Sequence, residues 1–142
     1  MRESTGVQVD IPVAEPFDPS VNVVGIDRNT GAACFMVRDR PGPPERLDGH
    51  TIGLCPIGDE GPHNGEMHPD GDEVLIVIEG QMRVRLELDG GNQVVEVDVD
   101  AGQAIVVPQG TWHRILPGAP ARMINITPGP HGEHRPKVRR GE

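Results

Sequence analysis

Glycine and proline punctuate this chain so densely that helix does not dominate it: 19 glycines and 15 prolines stand among 142 residues, more than a fifth of the total. Proline removes an amide donor and glycine weakens the interior of a helix or strand, so the regular elements between them are short. Those elements are of strand type. MRVRLEL sets Met82, Val84, Leu86 and Leu88 on one face and Arg83, Arg85 and Glu87 on the other, the period-2 alternation of a half-buried strand. The turn DGGN leads into QVVEVDV, where Val95, Val97 and Val99 oppose Val94, Glu96 and Asp98, and the pair reads as a hairpin. VNVVGI and AACFMVR flank a second hairpin loop over 27–31, and HTIGLCPI, VLIVI, AIVV, TWHRIL and ARMINIT complete the set. Short strands at turn spacings of about 8 to 12 residues predict an all-β sandwich or barrel. A length of 142 residues accommodates one such domain.

One stretch carries chemistry. In EMHPDGDEVLIVIEG, residues 66 to 80, Glu66 and His68 stand two residues apart. On an extended strand they project to the same face, where a metal ion could sit between them. Pro69, Asp70, Gly71 and Asp72 have the composition of a reverse turn, after which Glu73 opens VLIVI and can bring a third donor back toward the first two. A fourth must come from far along the chain. His113 in VPQGTWHRI is the best candidate, the other histidine embedded between strand-like segments.

These residues carry a family resemblance. The chain resembles a cupin, a small β-barrel family recognised by two motifs. His68, Glu73 and Gly80 fit the second half of G-x5-H-x-H-x3,4-E-x6-G, and Gly102, Pro108, Gly110 and His113 fit G-x5-P-x-G-x2-H-x3-N in register. The sequence departs from the pattern in three places. Glu66 takes the position of the first histidine, Pro117 that of the asparagine, and Glu60 that of the leading glycine, with Gly61 following it. The resemblance implies an all-β double-stranded β-helix, or jelly-roll barrel, of mostly antiparallel strands with little helix, over residues 21–127. An N-terminal strand and linker (1–20) precede it, and a mobile tail (128–142) follows. It also implies that His68, Glu73 and His113 are metal ligands, and that the barrel hosts a reaction of dioxygenase, isomerase, decarboxylase or lyase type on a small organic substrate. The alternative is a noncatalytic small-molecule-binding or sensory cupin, since one fold hosts many functions.

Glu66 is the instructive departure. It replaces an imidazole by a charged oxygen donor yet keeps the same-face spacing to His68. Two inward carboxylates without a cation would force one to take up a proton, whereas a divalent ion removes the difficulty and makes a neutral set with Glu66, His68, Glu73 and His113. Oxygen-rich ligation favours Mn(II) or Fe(II), with Zn(II) and Ni(II) next. Glu66 could instead serve as a general base beside a metal held by the other three. His63 could substitute as a ligand if a bulge at Gly65 turned it inward. His50, His131 and His134 read as surface residues.

Other classes are excluded or weakened. Thirteen basic residues against 22 acidic ones give a net charge of −9, which argues against a nucleic-acid partner. The chain has no signal-peptide pattern and no apolar run of membrane length, so the expected location is the cytoplasm without membrane association. Cys34 and Cys55 have no metal-ligand spacing and read as buried, reduced thiols. Trp112, alternating with His113, is expected to pack behind the site. VQVDIPV aligns Val7, Val9, Ile11 and Val13 on one strand face before EPFDPS interrupts it; such a strand needs a barrel edge to cover it, and a homodimer is expected.

Overall fold

The alternation read from the sequence becomes burial. Along β7 (Gln81–Leu88), Met82, Val84 and Leu86 are buried while Gln81, Arg83 and Arg85 are exposed. Along β6 (Glu73–Glu79), Glu73, Leu75 and Val77 face inward. The structure, a computed structural model, describes residues 6–38, 46–58 and 64–135. The remaining strands are β1 (Gly6–Asp10), β2 (Val23–Asp27), β3 (Ala33–Arg38), β4 (Gly49–Ile57), β5 (Glu66–Met67), β8 (Gln93–Asp100), β9 (Ala104–Val107), β10 (Trp112–Ile115), β11 (Ala121–Pro128) and β12 (Glu133–His134). Among the described residues the helical content is a single 3-10 turn, Asp89–Gly91, at the DGGN corner. No helix there is long and apolar enough to cross a membrane.

The strands form two antiparallel sheets, one of seven strands in the order β1-β3-β2-β4-β11-β6-β9 and one of five in the order β12-β5-β10-β7-β8. They enclose a core to which both contribute: Leu75, Val77, Val107 and Met123 from the first, Met82, Val84, Leu86, Val99 and Ile115 from the second. Full burial of one such side chain stabilises the fold by about 1.5–3 kcal/mol. The all-β jelly-roll barrel is therefore the architecture of this chain. Gly80, which turns the chain from one sheet into the other, has φ +77°. A Cβ there would meet the Pro120 carbonyl oxygen at 2.8 Å, so both conformation and space require glycine.

Both ends of the chain depart from expectation. The first strand stops at Asp10, short of Ile11 and Val13, because Pro12 has no amide to donate; Val13 is 94 % exposed. β1 pairs with β3 of the same chain. The C-terminal segment, expected as a tail from 128, belongs to the fold as far as Arg135. Pro128 closes β11 with a buried ring, and β12 pairs with β5, Glu133 opposite Met67 and His134 opposite Glu66. Backbone bonds from Asn64 to Arg135 and from Arg135 to Gly65 extend that pairing.

Candidate metal centre

Four side chains converge inside the barrel. Glu66 lies on β5, His68 just beyond it, Glu73 at the start of β6 and His113 on β10. One ligand atom from each lies within 4.8 Å of all the others. Local structure explains the convergence. The 69–72 turn folds β6 back against the first two residues, and Gln109 holds that turn by donating from its amide to Asp72 (2.8 Å) and from its side chain to the Pro69 carbonyl (2.6 Å). Gly110 donates to the His68 carbonyl at 2.9 Å, which ties the two motifs together. β10 pairs with β5 through His113 opposite Glu66. The ring centroids of His68 and His113 are 5.3 Å apart.

His68, Glu73 and His113 are each 2–3 % exposed, whereas the Glu66 side chain is 23 % exposed and forms the solvent side of the cluster. His113 Nδ1 donates to the Thr111 carbonyl (3.1 Å) and Nε2 to Glu73 Oε1 (2.9 Å). Thr127 Oγ1 donates to Glu73 Oε2 at 2.6 Å, and Asn125 in turn donates to Thr127 at 2.9 Å. Burial disfavours the imidazolium of His113, but Glu66 and Glu73 outweigh it and its pKa is pushed up to about 10. His68 is raised by the same carboxylates against the same desolvation. Burial raises Glu73 too, yet the two histidines more than compensate and hold its carboxyl below the ordinary value. The histidines thus favour the charged form of Glu73 inside the barrel.

Arg46 reaches the cluster from outside, its Nη1 donating to His68 Nδ1 at 3.0 Å. A guanidinium only donates, so with Arg46 in place the His68 proton sits on Nε2. The raised pKa and this contact compete, because full protonation would turn Nδ1–H against Arg46. We assign the neutral Nε2–H form. That nitrogen is buried without an acceptor in hydrogen-bonding geometry, although Glu73 and Glu66 oxygens stand 3.2 and 3.4 Å away.

A divalent cation fits this donor set. Two imidazole nitrogens and two carboxylate oxygens face one point, and the buried Nε2 of His68, engaged by no hydrogen bond, would offer its lone pair there once its proton has left. The Nδ1–H of His113 on a backbone carbonyl is the outer hydrogen bond typical of a ligating histidine. Arg46 opposes ligation by His68, since a neutral ring bound through Nε2 carries its proton on Nδ1.

All four predicted residues are brought together. His63, the substitute ligand, lies outside the described residues, as do Glu60 and Gly61. Pro117 sits in the exposed loop after β10. His50, His131 and His134 are exposed, and His131 is held by Asp70 through its amide at 2.6 Å. Trp112 is half-buried rather than core, on the outer face of β10 with the Arg135 guanidinium 4.2 Å above its ring. Cys34 and Cys55 are free and half-buried, and burial pushes both thiols up.

A family model described as "Cupin domain" matches residues 56–127. No curated protein matches the chain. Among solved structures it is similar to Peruvianin-I, a cysteine peptidase from Thevetia peruviana latex, at 16 % identity and TM-score 0.52 over 63 % of this chain and 57 % of that one. It is similar also to an oxalate decarboxylase studied for its substrate binding mode and a reaction specificity switch, at 19 % identity and TM-score 0.51 over 60 % of this chain and 23 % of that one. The same figures hold for Bacillus subtilis oxalate decarboxylase in a study of its Mn(II) centres. The chain thus spans less than two thirds of each of these proteins, and identities this low establish a common fold alone. With half of its length matched by the family model, residues 56–127, the chain belongs to the cupin domain family.

Proposed function

We propose that the protein is a divalent-metal-dependent enzyme acting on a small organic substrate, with Glu66, His68, Glu73 and His113 as the metal set. The observation that carries this reading is the convergence of those donors within 4.8 Å on the barrel interior, three of them buried. The oxygen-rich set favours Mn(II) or Fe(II), ahead of Zn(II) or Ni(II), and the Mn(II) centres of the Bacillus subtilis decarboxylase agree with that preference. When bound, the ion supplies Lewis-acid or redox chemistry.

The chain's own residues do the rest. Glu73 is fixed by Thr127 and His113, and His113 by the Thr111 carbonyl. Glu66, the one member open to solvent, is placed either to complete the set or to accept a proton from a bound substrate. Arg46 offers a guanidinium beside His68 that suits a substrate carboxylate. Small carboxylic acids are therefore the first substrates to test, with decarboxylation first among the reactions.

A noncatalytic binding cupin is the second reading. It is favoured by the hydrogen bonds that hold both oxygens of Glu73 to His113 and Thr127 within the protein itself. The experiment is reconstitution with Mn(II) or Fe(II) in air, followed by measurement of CO2 release and O2 uptake over a panel of small mono- and dicarboxylic acids. Turnover that is lost in Glu66→Gln while the metal stays bound assigns the general base. Saturable binding without turnover across the panel would favour the binding module.

A further inference from the structure

The outer face of the five-stranded sheet brings two arginines side by side. Arg114 on β10 and Arg85 on β7 stand directly opposite each other in register, a placement in which like charges repel. Arg83, two residues before Arg85 on the same face, is bound by Asp98 through two hydrogen bonds of 2.8 and 3.3 Å. Arg85 has no such partner among the described residues, although Glu96 stands across from it on β8. The Nε of Arg114 is buried and without a hydrogen-bond partner. A third guanidinium, Arg135, is fixed at the edge by Glu87 at 2.6 Å and by the ring of Trp112. Arg85, Arg114, Arg135 and Glu87 line a cavity of about 210 Å³ together with Asn64 and His113. Three guanidinium groups thus line the cavity with one carboxylate, Glu87, which Arg135 already engages.

We propose that this cavity binds a small oxyanion, a phosphate or the carboxylate of a small acid. The planar donor fork of arginine matches both groups. An anion between Arg85 and Arg114 would relieve their repulsion and meet the orphaned Nε. Arg114 alternates with His113 along β10, so its side chain leaves the strand on the face opposite the inward cluster, although His113 also borders the cavity; the proposal does not rest on the metal reading.

The test is calorimetric titration and thermal melting of the full chain as purified, with inorganic phosphate in one arm and succinate in the other, at ionic strength held constant with chloride. Saturable binding of at least one anion is expected, weakened about tenfold or more in Arg114→Gln and in Arg85→Gln and unchanged in Arg83→Gln. The responding arm tells phosphate from carboxylate. Arg114→Gln, freed of repulsion, should melt no lower than wild type without the anion. If it fails to fold, Arg114→Lys keeps the charge but loses the fork and should still bind more weakly. No saturable binding in either arm, or equal weakening in Arg83→Gln, overturns the proposal. So does self-association lost in Arg114→Gln without any anion binding, which would assign the arginines to a carboxylate of a second copy.

Discussion

Metal binding at this cluster must displace protons, and the size of the effect follows from His113. Its pKa of about 10 makes it an imidazolium at neutral pH, hydrogen-bonded at both nitrogens. A metal takes the lone pair of Nε2, so that proton has to leave. At pH 7, about three units below the pKa, deprotonation costs about 4 kcal/mol, which weakens apparent metal affinity about a thousandfold relative to a site already deprotonated. Apparent Kd should therefore fall about tenfold for each pH unit gained between about pH 6 and 8.5. Calorimetric titration of Mn(II) or Zn(II) in buffers of different ionisation enthalpy counts the protons directly and should give about one per metal at pH 7.5. A pH-independent Kd with no proton release would refute the reasoning. The same group sets the stability of the metal-free protein. A histidine raised from 6.5 to about 10 on folding contributes stability that is fully present below its unfolded pKa and lost as pH rises through the folded one, up to about 5 kcal/mol. Metal-free protein should therefore melt at progressively lower temperature from about pH 7 to 10, and metal-loaded protein should resist that decline. Glu73, held below its ordinary pKa, acts in the opposite direction, its contribution lost as pH falls through its folded value.

Other residues allow independent checks. Thr127→Val keeps the shape but removes the donor to Glu73. Chemical denaturation of the metal-free protein should show a loss of about 1–3 kcal/mol, and unchanged stability would mean that the bond contributes nothing. Arg46→Met removes the donor facing His68 Nδ1, so metal affinity should rise several-fold in direct titration; a fall would show that Arg46 supports the metal-bound form. We expect a homodimer, because Val9 and Val37 on the paired β1 and β3 and the nearby Phe17 and Val21 remain exposed. Light scattering at micromolar concentration should return twice the 15.3 kDa chain mass, and a monomer mass would count against it.

Much of this architecture was legible because two independent sequence signals agree. Alternation in MRVRLEL placed Met82, Val84 and Leu86 inward, and motif spacing placed Glu66, His68, Glu73 and His113 at one point. The rest had weaker signals. β12 is two polar residues long, Glu133–His134, with no apolar periodicity to mark it. It forms because β5 leaves an edge free, a condition set by the fold. Thr127 shares the inward parity of Ala121 and Met123 along ARMINIT, so a polar residue at a core position was the one available sign that something inside needed a hydrogen bond. Arg46 follows a proline-rich segment without any pattern, and its approach to His68 depends on the close passage of Gly129 and Gly132, whose added Cβ atoms would meet Arg46 at 3.0 and 2.7 Å. Alternation with His113 placed Trp112 behind the site, but that side of β10 is the outer face of the sheet, where the ring is half-buried under Arg135.

Elemental analysis decides whether one divalent ion is held by Glu66, His68, Glu73 and His113. Wild type, His68→Ala and His113→Ala would each be loaded with Mn(II), passed through gel filtration and checked for folding by circular dichroism. About one equivalent of metal is expected in wild type and less than about a tenth in either folded variant, since the loss of one ligand from such a set is severe. Wild type that retains no metal, or variants that retain as much as wild type, would contradict it.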